Sequence, residues 1–188
     1  MNKKTINIIG AGPVGCYLAY LLADKFNVTV YEEHKEIGKP VQCAGIITNS
    51  INEIIQIPEN VILNKIKDFE ISYKNKKLKL KLKNPDLIID RTKFDRFFYT
   101  KAKEKGVKFF LGKRITKLDE LEGIIIGADG PNSIVSKHLG NKPNSWMGIQ
   151  TRIKKQGSQV RAFLEYGKFG WIIPEGNGIC RVGIMDEK

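Results

Sequence analysis

Cysteine, histidine and arginine are all scarce in this sequence. The three cysteines, Cys16, Cys43 and Cys180, are odd in number and widely separated, and no CxxC occurs. That argues against a disulfide framework and against a zinc site built on cysteine pairs. The two histidines, His34 and His138, stand far apart, so no metal centre is expected. No apolar run approaches the ~20 residues that a spanning helix needs. The opening MNKKTINIIG carries two lysines, but glycine cuts its apolar stretch at once, unlike a secretory signal. The cytoplasm is the expected location. Arginine supplies 6 of the 32 basic residues and lysine the other 26, in a chain of net charge +12. Base readout and phosphate clamping favour arginine, and aromatics do not interleave with the lysines, so no nucleic-acid partner is expected.

The chain has 188 residues and is 41% hydrophobic, enough for a real core. TINIIG is a short apolar run ending in glycine and predicts a buried strand. PVGCYLAYLLADKF places Val14, Leu18, Leu21 and Leu22 on helical spacing, and NVTVYEE predicts a second strand. Strand, glycine turn, helix and strand open a βαβ unit with a parallel sheet. AGIITNSINEIIQI predicts a further helix that stops before Pro58. FEISYKNKKLKLKLKN alternates strictly, with Leu78, Leu80 and Leu82 on one face and lysines on the other. It predicts an antiparallel hairpin turning near Asn75–Lys76, with one wet face. RTKFDRFFYTKAKEKG reads as a helix closed by Gly106. VKFFLG, KRITKL and GIIIGADG read as strands. From Pro143 onward QTRIKK, VRAFLEY, GWIIP and CRVGIM predict antiparallel sheet.

Gly10-Ala11-Gly12-Pro13-Val14-Gly15 is a GxGxxG fingerprint between a strand and a helix, and the next strand ends in Glu32 with Glu33 beside it. Gly10 permits the tight turn, Gly12 lets a pyrophosphate approach the backbone, and Gly15 lets the helix pack close. The helix N-terminus offers amides and a positive dipole end to phosphate. A carboxylate at position 32 suits a ribose diol and disfavours a 2′-phosphate, so the dinucleotide is FAD or NAD rather than NADP.

IIIGADGPNSIVSKHLG puts Asp129-Gly130 at the end of a strand. It resembles the second motif of glutathione-reductase-type FAD-dependent oxidoreductases, in the branch with aromatic hydroxylases and geranylgeranyl reductases. That motif usually reads DGxxSxVR, and here Ser136 stands where arginine is usual. Arg91, before the third predicted helix, matches an arginine that approaches the flavin in that branch. EIGKPVQCAG is similar to the PxxPxxCG-type loop of archaeal geranylgeranyl reductases. FGWIIPEGNG resembles their Y-x-W-x-F-P motif, with Phe169 for tyrosine and Ile173 for phenylalanine. The resemblance implies an α/β fold: a Rossmann-like FAD-binding domain of the glutathione-reductase type over 1–57 and 86–140. A partial antiparallel substrate sheet would cover 58–85 and 141–188. It implies FAD as cofactor, held by residues of the fingerprint together with Glu32, Glu33, Cys43, Ala44, Arg91, Ile115, Asp129 and Gly130. Phe169, Trp171 and Pro174 would line a prenyl pocket, and Cys43 would donate a proton or steer the substrate. The implied activity is reduction of geranylgeranyl chains in archaeal-type ether lipids.

Two other functions stay open at this point, a flavin hydroxylase of the same fold and a non-catalytic nucleotide-binding fragment. The resemblance covers the chain but only the first half of the family's length, and the third family motif, a Gly-Asp turn before a helix, is missing. The expected partners are therefore a prenylated lipid and a C-terminal half-protein. The lysine run from Lys74 to Lys83 reads as a solvated face or as a peripheral contact with an anionic membrane.

Overall fold

The computed structural model describes residues 3–142, 146–165 and 168–187. In chain order the elements are β1 (Thr5–Ile9), α1 (Pro13–Leu22), β2 (Asn27–Glu32), β3 (Ile46–Ile47), α2 (Ile51–Ile54), β4 (Ile62–Tyr73), β5 (Lys76–Ile89), α3 (Arg91–Glu104), β6 (Lys108–Leu111), β7 (Ile124–Gly127), α4 (Ile134–His138), β8 (Trp146–Lys154), β9 (Val160–Glu165), β10 (Lys168–Gly176) and β11 (Ile179–Glu187). They sort into two compact units. The first is Met1–Gln42 with Arg91–Asn144, and the second is Cys43–Asp90 with Ser145–Lys188.

The first unit is a parallel sheet of order β6-β2-β1-β7. Ile6, Ile8, Val28 and Val30 are buried in it, as an apolar strand covered on both faces requires. Helix α1 does not bury the face predicted from its large residues. Gly15, Cys16 and Ala19 are its buried positions, whereas Val14 is 72% exposed and Leu21 50%. Small residues let the helix axis approach closely, which matters more here than apolar volume. Helix α3 packs Phe94, Phe98 and Ala102 inward, and Phe98 meets Tyr17 of α1 edge-on with ring centres 5.4 Å apart. Residues 113–118, predicted as a strand, form a loop whose Ile115 is buried.

The second unit is a seven-stranded mixed sheet of order β3-β5-β4-β9-β10-β11-β8. Its pairs are antiparallel except β4 with β9, which run parallel. Ile66, Ile88, Val160 and Ile173 form its buried cluster, with Ala44, Ile46, Phe69 and Trp171 packed against them. The helix predicted over 44–57 is replaced by β3 and the four-residue α2. Ile46 and Ile47 pair with Ile88 and Leu87, and β-branched residues favour that pairing over a helix. This pairing also draws 43–57 into the sheet unit, whereas the sequence grouped them with the nucleotide-binding residues. The hairpin turn falls at Lys74–Asn75, one residue earlier than expected, with Lys74 at φ 51°. Its leucine face is not dry: Leu78 is 55% exposed and Leu80 42%.

Candidate cofactor and substrate sites

In the first unit the fingerprint forms a cradle at the carboxyl end of the parallel sheet. The Gly10 amide donates to Tyr31 O at 2.8 Å and the Ala128 amide to Ile9 O at 2.7 Å, which fixes the turn between β2 and β7. Gly10 has φ 102°, and a Cβ there would collide with the Ala128 carbonyl. A Cβ at Gly15 would collide with the Gly10 carbonyl. Gly12 is different. It caps α1 with φ −65° and ψ 176°, ordinary extended geometry, and a Cβ there would meet nothing within 4 Å. The protein itself gives no steric reason for glycine at 12. The opening beside it faces the first turn of α1, where the amides of Val14 and Gly15 precede any intrahelical acceptor. Pro13, with no N–H to leave unsatisfied, suits the first helical position.

Glu32 ends β2 and braces this loop. Its Oε2 accepts from the Ala11 amide at 2.8 Å, and its Oε1 accepts from the His34 amide at 2.9 Å and lies 2.6 Å from His34 Nδ1. Each carboxylate oxygen has two lone pairs, so acceptor capacity for a diol remains. Glu33 turns aside to an ion pair with Arg114 at 3.4 Å. Asp129 follows β7, with its Cα beside the Gly10 turn. Its Oδ2 accepts from the Ile134 amide at 2.7 Å, while Oδ1 is buried without a partner. Gly130 adopts φ 72°, and Ser133 Oγ accepts from the Ser136 amide at 2.9 Å to start α4. Ser136, standing where the family motif has arginine, thus takes part through its backbone.

Arg91 begins α3, where the helix dipole disfavours a cation. Asp95, one turn on, compensates by accepting from Nε at 3.0 Å and from Nη2 at 3.2 Å. The spacing RTKFD made this pair readable in advance. Burial pushes the Asp95 carboxyl above its usual range, against the opposing pull of Arg91. The Cys16 thiol is pushed up to about 12, chiefly by burial and then by Asp95 and Glu32. It donates to Ala11 O at 3.2 Å and is a packing group.

In the second unit the strand register collects Phe169 and Trp171 on one face. One cross-strand row runs Leu78, Ile71, Ala162, Trp171, Gly183, Gln150. The next runs Tyr73, Leu164, Phe169, Met185. The Trp171 indole lies over Gly183, where an added Cβ would overlap the ring. Phe169 tilts at 45° to it, with ring centres 5.4 Å apart. Trp171 Nε1 and Gln150 Oε1 are both buried without partners. A hollow of about 470 Å³ opens at the Phe169 end, lined in part by Tyr73, Lys74, Leu164 and Phe169. Pro174 lies on the opposite face by strand alternation and is fully buried, its carbonyl accepting from Asn64 Nδ2 at 3.2 Å.

Cys43 is half-buried at the start of this unit. Its Sγ accepts from the Gly45 amide at 3.4 Å, and its carbonyl accepts from Gln150 Nε2 at 2.9 Å. The carbonyl of Ala44 accepts from Arg181 Nη1 at 2.6 Å, and Ile89 O accepts from Nη2 at 3.0 Å. Arg181 is 3% exposed, and its Nε pairs with the buried carboxylate of Glu175, which also holds Arg152 at 2.9 Å. Gly45, at φ 72°, leaves room for the guanidinium. Sequence reasoning missed Gln150, Glu175 and Arg181, since nothing in strand alternation marks a polar residue as buried. Among the described residues no cluster of His, Cys, Asp and Glu could hold a metal ion, and no helix is long and apolar enough to cross a membrane.

Residues 8–44 match the family described as an NAD(P)-binding Rossmann-like domain. An uncharacterized protein of Methanocaldococcus jannaschii is 32% identical over 98% of this chain and 54% of its own length. Digeranylgeranylglycerophospholipid reductase 1 of Methanococcoides burtonii is 26% identical over 97% of this chain and 54% of its own length. The crystal structure of a geranylgeranyl bacteriochlorophyll reductase-like protein from Thermoplasma acidophilum superposes with a TM-score of 0.81 at 20% identity, covering 100% of this chain and 57% of that one. The chain spans about half the length of the curated relatives it matches. With the fingerprint, the Asp129-Gly130 turn and the mixed sheet all in place, the chain has a Rossmann-like fold and is similar over nearly its whole length to these geranylgeranyl reductase-like proteins.

Proposed function

We propose that these residues form the cofactor-holding and sheet portion of an FAD-dependent reductase that saturates C=C bonds in geranylgeranyl chains of archaeal-type ether lipids. The observation that carries the reading is the cradle at Gly12, open where the protein has no atom of its own, together with the unpartnered Oδ1 of Asp129 on the same unit. FAD fits the residues present. The first turn of α1 offers amides and a positive dipole end to a pyrophosphate. Glu32 keeps acceptor capacity for a ribose, and Asp129 Oδ1 gains a hydrogen-bond partner from a bound hydroxyl. Arg91, held by Asp95, offers a fixed cation on the same unit. The named reductase among the relatives supplies the substrate class.

When bound and reduced, the flavin supplies a hydride, and saturating one C=C consumes that hydride and one proton. Cys43 is the proton-holding group in this reading. After giving up its proton, its sulfur accepts the Gly45 amide as a charge-assisted hydrogen bond, which is stronger than the neutral one. The row through Ile71, Ala162 and Trp171 presents apolar surface with little polar demand, suited to a prenyl chain and to excluding water. Because the matched relatives are about twice as long, the activity proposed is that of the whole reductase to which these residues contribute. A lipid substrate also requires the protein to meet a membrane surface.

The test is oxygen-free reduction of a digeranylgeranyl lipid with dithionite as reductant, read by mass spectrometry. Each double bond should gain two hydrogens, and Cys43→Ala should slow the gain more than it lowers flavin binding. A product that gains oxygen in air and no hydrogen without it would replace this reading with the hydroxylase.

A further inference from the structure

The β4–β5 ribbon ends in a tip that the reduction chemistry does not use. Six lysines stand between Lys74 and Lys83 with no acidic residue among them. Of these six, only Lys77 is ion-paired among the described residues, to Glu70 at 3.6 Å. On the same tip Leu78, Leu80 and Tyr73 are exposed. Register places Leu78 beside Ile71 and Leu80 beside Phe69 on one face, and Lys77, Lys79 and Lys81 on the other. Strand β3 reaches β5 only at Leu87 and Ile88, so Lys76–Lys83 form an edge with no further strand among the described residues. Lysine along an edge is a common guard against strand pairing. That guard explains the lysines but not large apolar side chains left in water beside them.

We propose that this tip docks edge-on to the surface of an anionic lipid bilayer. Leu78, Leu80 and Tyr73 enter the headgroup region, and an amphipathic tyrosine ring suits that boundary. The lysine stems lie along the apolar surface and carry their ammonium groups to lipid phosphates. The open edge of β5 sets the depth. Its unpaired backbone groups need water, so the tip stays at the headgroups and does not enter hydrocarbon. Charge complementarity selects an anionic surface. A nucleic acid would answer the lysines and leave the leucines unexplained. The hollow lined by Tyr73, Lys74 and Phe169 opens beside the same tip, so a lipid chain leaving the bilayer there would meet the apolar rows of the sheet. The inference adds a docking surface to the lipid-reductase reading, and its test needs neither flavin nor substrate, so either can fail without the other.

The 188-residue chain is sedimented with vesicles of phosphatidylcholine alone and of phosphatidylcholine with phosphatidylglycerol, at low and high salt. Binding is expected only to the anionic vesicles and should fall steeply with salt. Lys79→Gln with Lys81→Gln and Lys83→Gln should weaken it on the order of 100-fold near physiological salt. Leu78→Ser with Leu80→Ser should weaken vesicle binding by about tenfold or more and leave retention on heparin unchanged. Circular dichroism of both variants should match the parent. Equal vesicle binding by the glutamine variant and the parent overturns the proposal. So does equal binding to neutral vesicles, or heparin retention without vesicle binding.

Discussion

Replacing Gly12 by valine separates what the fold needs from what a ligand needs. The backbone at 12 already has φ −65° and ψ 176°, which valine adopts readily, and the new side chain points into open space. Removing a glycine from such a position lowers unfolded-state entropy and stabilises by about 0.4–1 kcal/mol. Gly12 is also the N-cap of α1, where an apolar residue costs a few tenths to about 1 kcal/mol. The two effects nearly cancel, so the Tm of the flavin-free protein should move by no more than about 2–4 °C, the shift of roughly 1 kcal/mol at this size. Binding should respond very differently. Valine occupies the approach to the Val14 and Gly15 amides, and each charge-assisted hydrogen bond lost costs about 1.5–3 kcal/mol. Two such losses weaken FAD binding on the order of 100-fold to 10,000-fold. Gly10→Ala and Gly15→Ala are the controls. Each puts a Cβ into a backbone carbonyl, so both should lower Tm by several degrees with or without flavin. The assays are fluorescence-quench titration with FAD and thermal unfolding without it. Unchanged flavin affinity in Gly12→Val would refute the pyrophosphate assignment, and a collapsed Tm would refute the claim that the fold has no use for glycine there.

Two further outcomes follow from buried charge. Arg181→Met leaves the buried Glu175 carboxylate with only the more exposed Arg152, and it strands the carbonyls of Ala44 and Ile89; about 3–5 kcal/mol of stability should be lost, and adding Glu175→Leu should recover part of it, as read by urea unfolding. A single variant as stable as the parent would show that the pair contributes nothing. Asp95 has its folded pKa raised by burial, so the folded state binds its proton more tightly than the unfolded state does. Its contribution is fully present below the ordinary carboxyl range and is lost as pH rises through the raised value. Stability of the parent relative to Asp95→Asn should therefore grow as pH falls through that window, and a flat or opposite trend in unfolding free energy would contradict the burial argument.

The first 32 residues were largely legible because their signals are local. A strand, three glycines at fixed spacing and a carboxylate at the end of the next strand specify one another within a short stretch. The large residues of α1 were a poorer guide. Its buried side is Gly15, Cys16 and Ala19, because the helix must come close to the Gly10 turn, and closeness is a tertiary demand that hydrophobic spacing does not encode. Residues 44–57 misled for the opposite reason. Their isoleucines fit a helical stripe, but Ile46 and Ile47 find partners at Ile88 and Leu87, some forty residues away. The hairpin was found, but its turn was placed one residue late and its leucine face was taken as dry. The pleat gives the face a side chain occupies, and only the neighbours decide whether that face is covered.

Arg181 marks the limit of such reading most clearly. In a chain of net charge +12 one more arginine on an alternating strand reads as surface. In the structure it is among the most buried side chains, and it joins three separated pieces of chain: the Cys43–Gly45 loop, the end of β5, and Glu175 on β10. Burying a guanidinium is costly unless its donors are met, and here Nε, Nη1 and Nη2 each have an acceptor. Gly45 is the local trace of this arrangement. Its positive φ and missing Cβ make room for the guanidinium, so a glycine that looked like part of a cofactor loop also has a structural duty. The same loop carries Cys43, whose sulfur accepts the Gly45 amide and whose carbonyl accepts from Gln150. A proton-holding thiol has to be kept in one orientation to be useful, and the buried arginine supplies part of that rigidity from the far side of the loop. Loss of Arg181 should therefore loosen the Cys43 loop as well as the sheet, which ties the stability of the second unit to the chemistry proposed for it.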